Sequence, residues 1–167
     1  MLLDVLSAET GISKERLLQY SDTASKRYYL FSIPKRNGHP RWIAHPARPL
    51  KSLQRWLNAR LIKTWETHSA ATAYKKGASI RANAHRHAAT NYTLRVDFED
   101  FFPSFKRDGI EVFLKLMNED QKFVDQEDII FISKILTRNG ELTIGAPSSP
   151  FITNAMMFEF DRKLSDY

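Results

Sequence analysis

Apolar residues recur along this chain with different periods, and each period predicts a different kind of element. In residues 1–22, Leu2, Leu3, Val5 and Leu6 form one apolar cluster, and Leu17 and Leu18 a second. Two short helices are expected there, the second capped by Ser13. Residues 28–46 switch to an aromatic and β-branched run, YYLFSI, followed by PKRNGHP and RWIAHP. That pattern predicts a β-hairpin turning at Asn37-Gly38, because both central residues of a type I′ turn need positive φ. From Pro49 to about Trp65, Leu50, Leu53, Leu57, Leu61 and Trp65 return every three or four residues. One amphipathic helix is expected, with Trp56 and Ile62 widening its apolar stripe.

The second half alternates less regularly. GASIRANAHRHA predicts a glycine turn and a helix beginning near Ser79. Tyr92, Leu94 and Val96 alternate with Thr93, Arg95 and Asp97, the pattern of a strand with one apolar face that ends in an acid. Phe98, Phe101, Phe102 and Phe105 are spaced like a helical stripe, but Pro103 fits only a first helical turn. Helices are expected at about 108–117 and 125–138, with acids early and bases late as the helix dipole favours. Asn139-Gly140 then turns the chain toward ELTIGAPSSPFITN, where Gly145 permits close backbone approach. Ser149 is a candidate cap and Pro150 a candidate first-turn residue of a last helix. The mixture of hairpin, strand and helices is an α+β pattern. No apolar run is long enough for a signal peptide or a membrane span.

Composition narrows the chemistry. The 167 residues fit one domain or two small ones, and the absence of cysteine removes disulfides, thiol nucleophiles and Cys-based zinc sites together. That usage suits a reducing cytoplasm. His85 and His87 are two apart, so on a helix they face different sides and make a poor metal pair.

Charge is more informative when divided. Residues 1–90 carry 16 Lys/Arg against 5 Asp/Glu, +11, and residues 91–167 carry 9 against 14, −5. Between 23 and 90 there are 14 bases and one acid, Glu66. Such a field suits a polyanion, nucleic acid above all, or a merely solvated basic face. Lys35, Arg36 and Arg41 crowd the hairpin tip, where an Arg fork and a mobile Lys make a natural phosphate clamp. The alternative is an edge hairpin protected by charge. Lys75, Lys76, Arg81, Asn83 and His85 form a second donor-rich stretch, a candidate nucleic-acid surface. Asp97, Glu99 and Asp100 lie within four residues, a plausible place for a hard cation such as Mg²⁺, or simply for a capped turn.

The order of four segments carries more than any one of them: IPKRNGHPRWI, GASIRANAH, VDFEDFFPSF and GAPSSPFITN. Over roughly residues 28–165 this series resembles the first half of bacterial retron-type reverse transcriptases, with group II intron maturases as cousins. The resemblance implies a right-hand polymerase: an N-terminal helical element at 1–22, fingers with a basic β-hairpin at 23–90, and at 91–167 the first part of a palm with an incomplete sheet. It implies that Asp97 is the first catalytic aspartate and a metal ligand, joined by the backbone carbonyl of Phe98. Lys35 and Arg41 would grip the incoming triphosphate. Asp100 would lie against the nucleotide, and Phe102 would be the aromatic gate that rejects a ribose 2′-OH. Gly145, Ala146 and Pro147 would support the nascent base pair.

Two departures qualify the resemblance. Ile144 stands where many relatives have Gln, and the Tyr-x-Asp-Asp hairpin that supplies further metal-binding acids does not occur. The 167 residues are therefore expected to be an incomplete, inactive portion of a longer polymerase that uses two Mg²⁺ ions. The implied partners are a structured RNA and its DNA copy, deoxynucleotide triphosphates, and an effector protein in phage defence, with no membrane. The competing reading is a non-catalytic RNA-binding or scaffold subunit of a ribonucleoprotein. A metal-dependent nuclease would need a second acid cluster, and none accompanies Asp97–Asp100.

Overall fold

A computed structural model describes residues 1–35, 38–74, 77–118 and 124–166. The two expected N-terminal helices are α1, Leu2–Thr10, and α2, Lys14–Asp22. Ser13 caps α2 by accepting from the Arg16 N–H. Their apolar positions Leu3, Leu6 and Leu17 are all buried, so this pair is part of the main core.

The hairpin follows as β1, Tyr28–Pro34, and β2, Pro40–Pro46, antiparallel with Tyr28 opposite Pro46 and Pro34 opposite Pro40. The turn expected at Asn37-Gly38 falls partly outside the described residues. On either side of it, Gly38 N–H donates to Lys35 O at 2.9 Å and Lys35 N–H to His39 O at 2.8 Å, with Gly38 at φ 81°. Arg36 and Asn37 lie outside the described residues. A two-residue Asn-Gly turn occurs at Asn139-Gly140, with φ 52° and 83° and paired backbone bonds between Arg138 and Glu141.

The long helix expected to Trp65 ends earlier. α3 spans Arg48–Arg60, Leu61 leaves helical geometry, and a 3₁₀ turn, Ile62–Thr64, continues the path. The break lets Leu61, Ile62 and Trp65 all reach the core, which a straight helix would turn partly away. α4, Ile80–His87, begins as expected at Ser79, whose hydroxyl accepts from Ala82 N–H at 3.0 Å. A single turn, α5 (Phe101–Ser104), leads to α6, Arg107–Asn118, and α7, Gln126–Leu136. The last helix is divided at Met157 into α8, Ser149–Met156, and α9, Phe158–Ser165. Ser149 is not the cap: it lies inside α8, and its hydroxyl donates to Thr143 O at 2.9 Å.

α7 is the core's central helix, with Ile129, Phe131, Ile132, Ile135 and Leu136 buried and the helix packed against α2, α3 and α6. Its first turn is shared. Asp125 and Asp128 form a capping box, and the buried Asp128 carboxylate also accepts from the N–H groups of Leu2 (2.9 Å) and Leu3 (2.8 Å). One side chain thus satisfies the starts of two helices 125 residues apart in sequence.

The palm strand expected over 92–97 is absent. Residues 92–98 have no regular structure, and Tyr92, Leu94 and Val96 are 93%, 85% and 68% exposed. The alternation is genuine strand chemistry, but a strand needs a neighbour for its backbone groups. Among the described residues β1 and β2 form the one sheet, and no strand lies beside residues 92–97.

Candidate functional site

The basic hairpin and the Gly-Ala-Pro segment, separated by a hundred residues, meet edge to edge. In β2, Ala44 N–H points away from β1 and donates to Ile144 O at 2.8 Å. Gly145, at φ 114°, then passes so close that a Cβ on it would lie 2.8 Å from Ala44 O and 2.9 Å from Ile43 Cγ2. Only glycine fits this path. Register and alternation put Ile43 on the hairpin face that also carries Phe31, Ile33 and Arg41, with Lys35 one step further along. The exposed cations Lys35 and Arg41 therefore share a face with the strand residue that Gly145 touches.

The segment after Gly145 is a buried loop. Ala146, Ser148 and Ser149 are 4%, 0% and 1% exposed, so its carbonyls need partners. Asn58 of α3 supplies one, donating from Nδ2 to Pro147 O at 2.9 Å.

A second contact brings in the phenylalanine motif. Leu142 N–H donates to Phe105 O at 3.1 Å and Arg107 N–H to Gly140 O at 2.8 Å, pairing 105–107 with 140–142. An ion pair between Lys106 and Glu141 lies on this pairing. Phe102 is thereby tethered three residues before Phe105, as Gly145 is three residues after Leu142. Its ring is half-buried, packed toward the core and edge-on to Phe101 at 5.4 Å. Phe98 stacks edge-on with Phe160 of α9 at 5.6 Å.

Asp97 is exposed on the irregular segment, and Asp100 turns into α5 with left-handed φ 46°. A two-metal centre needs carboxylates holding two ions ~3.5–4 Å apart. Among the described residues no three His, Asp or Glu are grouped to hold a metal. Asp97 and the Phe98 carbonyl alone do not make such a centre.

The second basic stretch stands apart from the core. No residue of α4 is buried, and Arg81, Asn83 and His85 are all exposed. Asn83 accepts from Thr72 at 3.2 Å and Arg86 donates to Ser69 O at 3.3 Å, which fastens the helix to the preceding loop. Asn154 of α8 in turn donates to Ala73 O at 3.1 Å. Lys75 and Lys76 lie outside the described residues.

Three reverse transcriptases match this chain along most of its length: Mx162 of Myxococcus xanthus, 32% identical over 97% of the chain; Ec73 of Escherichia coli, 33% over 81%; and Ec86 of Escherichia coli, 29% over 97%. All three are named retron reverse transcriptases.

This chain is a relative of the retron reverse transcriptases.

The match covers 37%, 45% and 50% of those relatives, so the chain spans half their length or less. No family model matches it. The observed fold agrees at the level of an α+β arrangement with a small antiparallel sheet. No helix among the described residues is long and apolar enough to cross a membrane.

Sequence reasoning did not find Asn58, Gln54 or Asp128. Gln54 is buried on α3, donating to Tyr28 Oη at 3.0 Å and Ile135 O at 2.9 Å. Burial pushes the Tyr28 hydroxyl up to about 12, against the opposing hydrogen bond from Gln54. The one available signal was position: Leu50, Gln54, Leu57 and Asn58 fall on one helical face, so both amides sit in the apolar stripe.

Proposed function

We propose that these residues are the fingers and the beginning of the palm of an RNA-directed DNA polymerase. In this reading the enzyme binds a structured RNA and copies it into DNA. The observation that carries the proposal is the edge contact of Ala44 with Ile144 and Gly145. It unites two segments that the resemblance assigns to the nucleotide, the Lys35/Arg41 hairpin and Gly145–Pro147. The names of the relatives point to the same activity.

In this reading Lys35 and Arg41 hold the triphosphate, Gly145, Ala146 and Pro147 back the nascent pair, and Asp100 and Phe102 border the sugar. Arg81, Asn83 and His85, with Lys75 and Lys76, contact nucleic acid, a role suited to a helix dense in donors and fully exposed. Asp97 and the Phe98 carbonyl contribute to a site for two Mg²⁺ ions, whose remaining carboxylates belong to sequence outside these 167 residues. An effector partner and a role in phage defence rest on the resemblance alone.

The test is primer extension on an RNA template by the full-length protein, with and without Mg²⁺. Metal-dependent DNA synthesis is expected. RNA binding without synthesis would favour the non-catalytic scaffold.

A further inference from the structure

The loop 143–149 is held by three hydrogen bonds of different origin. Ile144 O is taken by the hairpin backbone, Thr143 O by Ser149 at the adjoining start of α8, and Pro147 O by the Asn58 amide. Of the three, the bond from Asn58 is the one that a side chain distant in sequence supplies. It ties Pro147 to α3 while Ala44 ties Ile144 to β2, so the loop hangs between two anchors on either side of Gly145 and Ala146.

Asn58 is a costly choice for packing alone. It is 5% exposed, and its Oδ1 is buried with no hydrogen-bond partner among the described residues, as is Ser148 Oγ beside Pro147. A buried acceptor without a partner forfeits its hydration, and a leucine of similar size would avoid that loss. What a leucine cannot do is donate to Pro147. The amide's distinctive contribution is therefore to the height of the loop.

We propose that Asn58 is a positioning residue for nucleotide binding. By holding the Pro147 carbonyl it sets where Gly145–Pro147 stand relative to the Lys35/Arg41 face. The inference rests on the polymerase reading above, in which that loop backs the nascent base pair.

The experiment compares the full-length wild type with Asn58→Leu and Gln54→Leu. Gln54 is the control: it lies one turn earlier on the same buried face, but its amide bonds Tyr28 and Ile135 and not the loop. Melting temperature, RNA affinity without nucleotide, and steady-state extension at varied deoxynucleotide are measured for each. Asn58→Leu is expected to raise the nucleotide KM about tenfold, the size of one lost hydrogen bond, with kcat and RNA affinity near wild type and the melting temperature lowered no more than in Gln54→Leu. Gln54→Leu is expected to leave KM unchanged. An unchanged KM in Asn58→Leu, or an equal rise in both variants, would overturn the proposal while leaving the polymerase reading intact. A wild type that extends no primer would overturn both.

Discussion

Gly145 lies so close to Ala44 that one added methyl group would stand 2.8 Å from the Ala44 carbonyl oxygen. The contact sits where the hairpin edge meets the loop, and it is reinforced by φ 114°, a region that L side chains rarely adopt. Gly145→Ala should therefore cost at least about 1–3 kcal/mol from backbone strain alone. Urea denaturation measures that loss, and extension assays should show nucleotide binding impaired more than RNA binding. The same substitution at Gly109, where nothing lies within 4 Å and the backbone is helical, should cost nothing and slightly favour the helix.

Asp128 joins the first turns of α1 and α7. Asp128→Ala orphans the Leu2 and Leu3 N–H groups and removes one arm of the capping box. A loss of roughly 2–4 kcal/mol is expected from two stranded donors. Thermal melting reads it. Asp128→Asn, which keeps an acceptor oxygen, should lose less.

Tyr28 predicts an alkaline limit. Its hydroxyl is pushed up to about 12 by burial, from an ordinary value of 10.0. The folded protein keeps this proton while the unfolded chain releases it, so the contribution is complete below pH 10 and lost as pH rises toward 12. Across that window the loss is about 2–3 kcal/mol. Urea midpoints at pH 9 to 11.5 should fall more steeply for wild type than for Tyr28→Phe, and equal slopes would show that Tyr28 titrates normally.

Arg41 and Phe102 separate two nucleotide roles. Arg41→Ala should chiefly raise the apparent deoxynucleotide KM, since the residue is exposed on the hairpin face and holds no core contact. A fall in RNA affinity instead would make the hairpin a template grip. Phe102→Ala should increase ribonucleotide incorporation if the ring gates the sugar. Because Phe102 is half-buried against the core, its melting temperature should be followed as well.

Elements that satisfy themselves locally were legible in the sequence. The hairpin, the caps at Ser13 and Ser79 and the Asn139-Gly140 turn depend on residues within a few positions, and periodicity or turn chemistry displays them. The glycine approach at Gly145 was also legible as a possibility, though not its neighbour, because the partner is a backbone a hundred residues away. Asp128, Gln54 and Asn58 were hidden for a related reason. A polar residue in a helix reads as solvent-facing until the distant carbonyl or N–H that it serves is known. Residues 92–97 show the opposite failure: the alternation was clear, but a strand requires a neighbour, and none of the described residues provides it. Ile144 illustrates a limit of motif comparison, since its backbone carbonyl makes the Ala44 contact whatever side chain stands there.

The central claim, that Asp97 belongs to a polymerase centre, is tested most directly by Asp97→Ala in the full-length protein. Primer extension and RNA affinity are measured on the same preparation. Asp97 is exposed and outside the core, so its removal should leave melting temperature and RNA binding intact. DNA synthesis should be abolished while RNA affinity stays within about twofold, the range expected of a surface substitution. Synthesis that persists, or RNA affinity that falls in step with it, would show that Asp97 is no part of a polymerase centre.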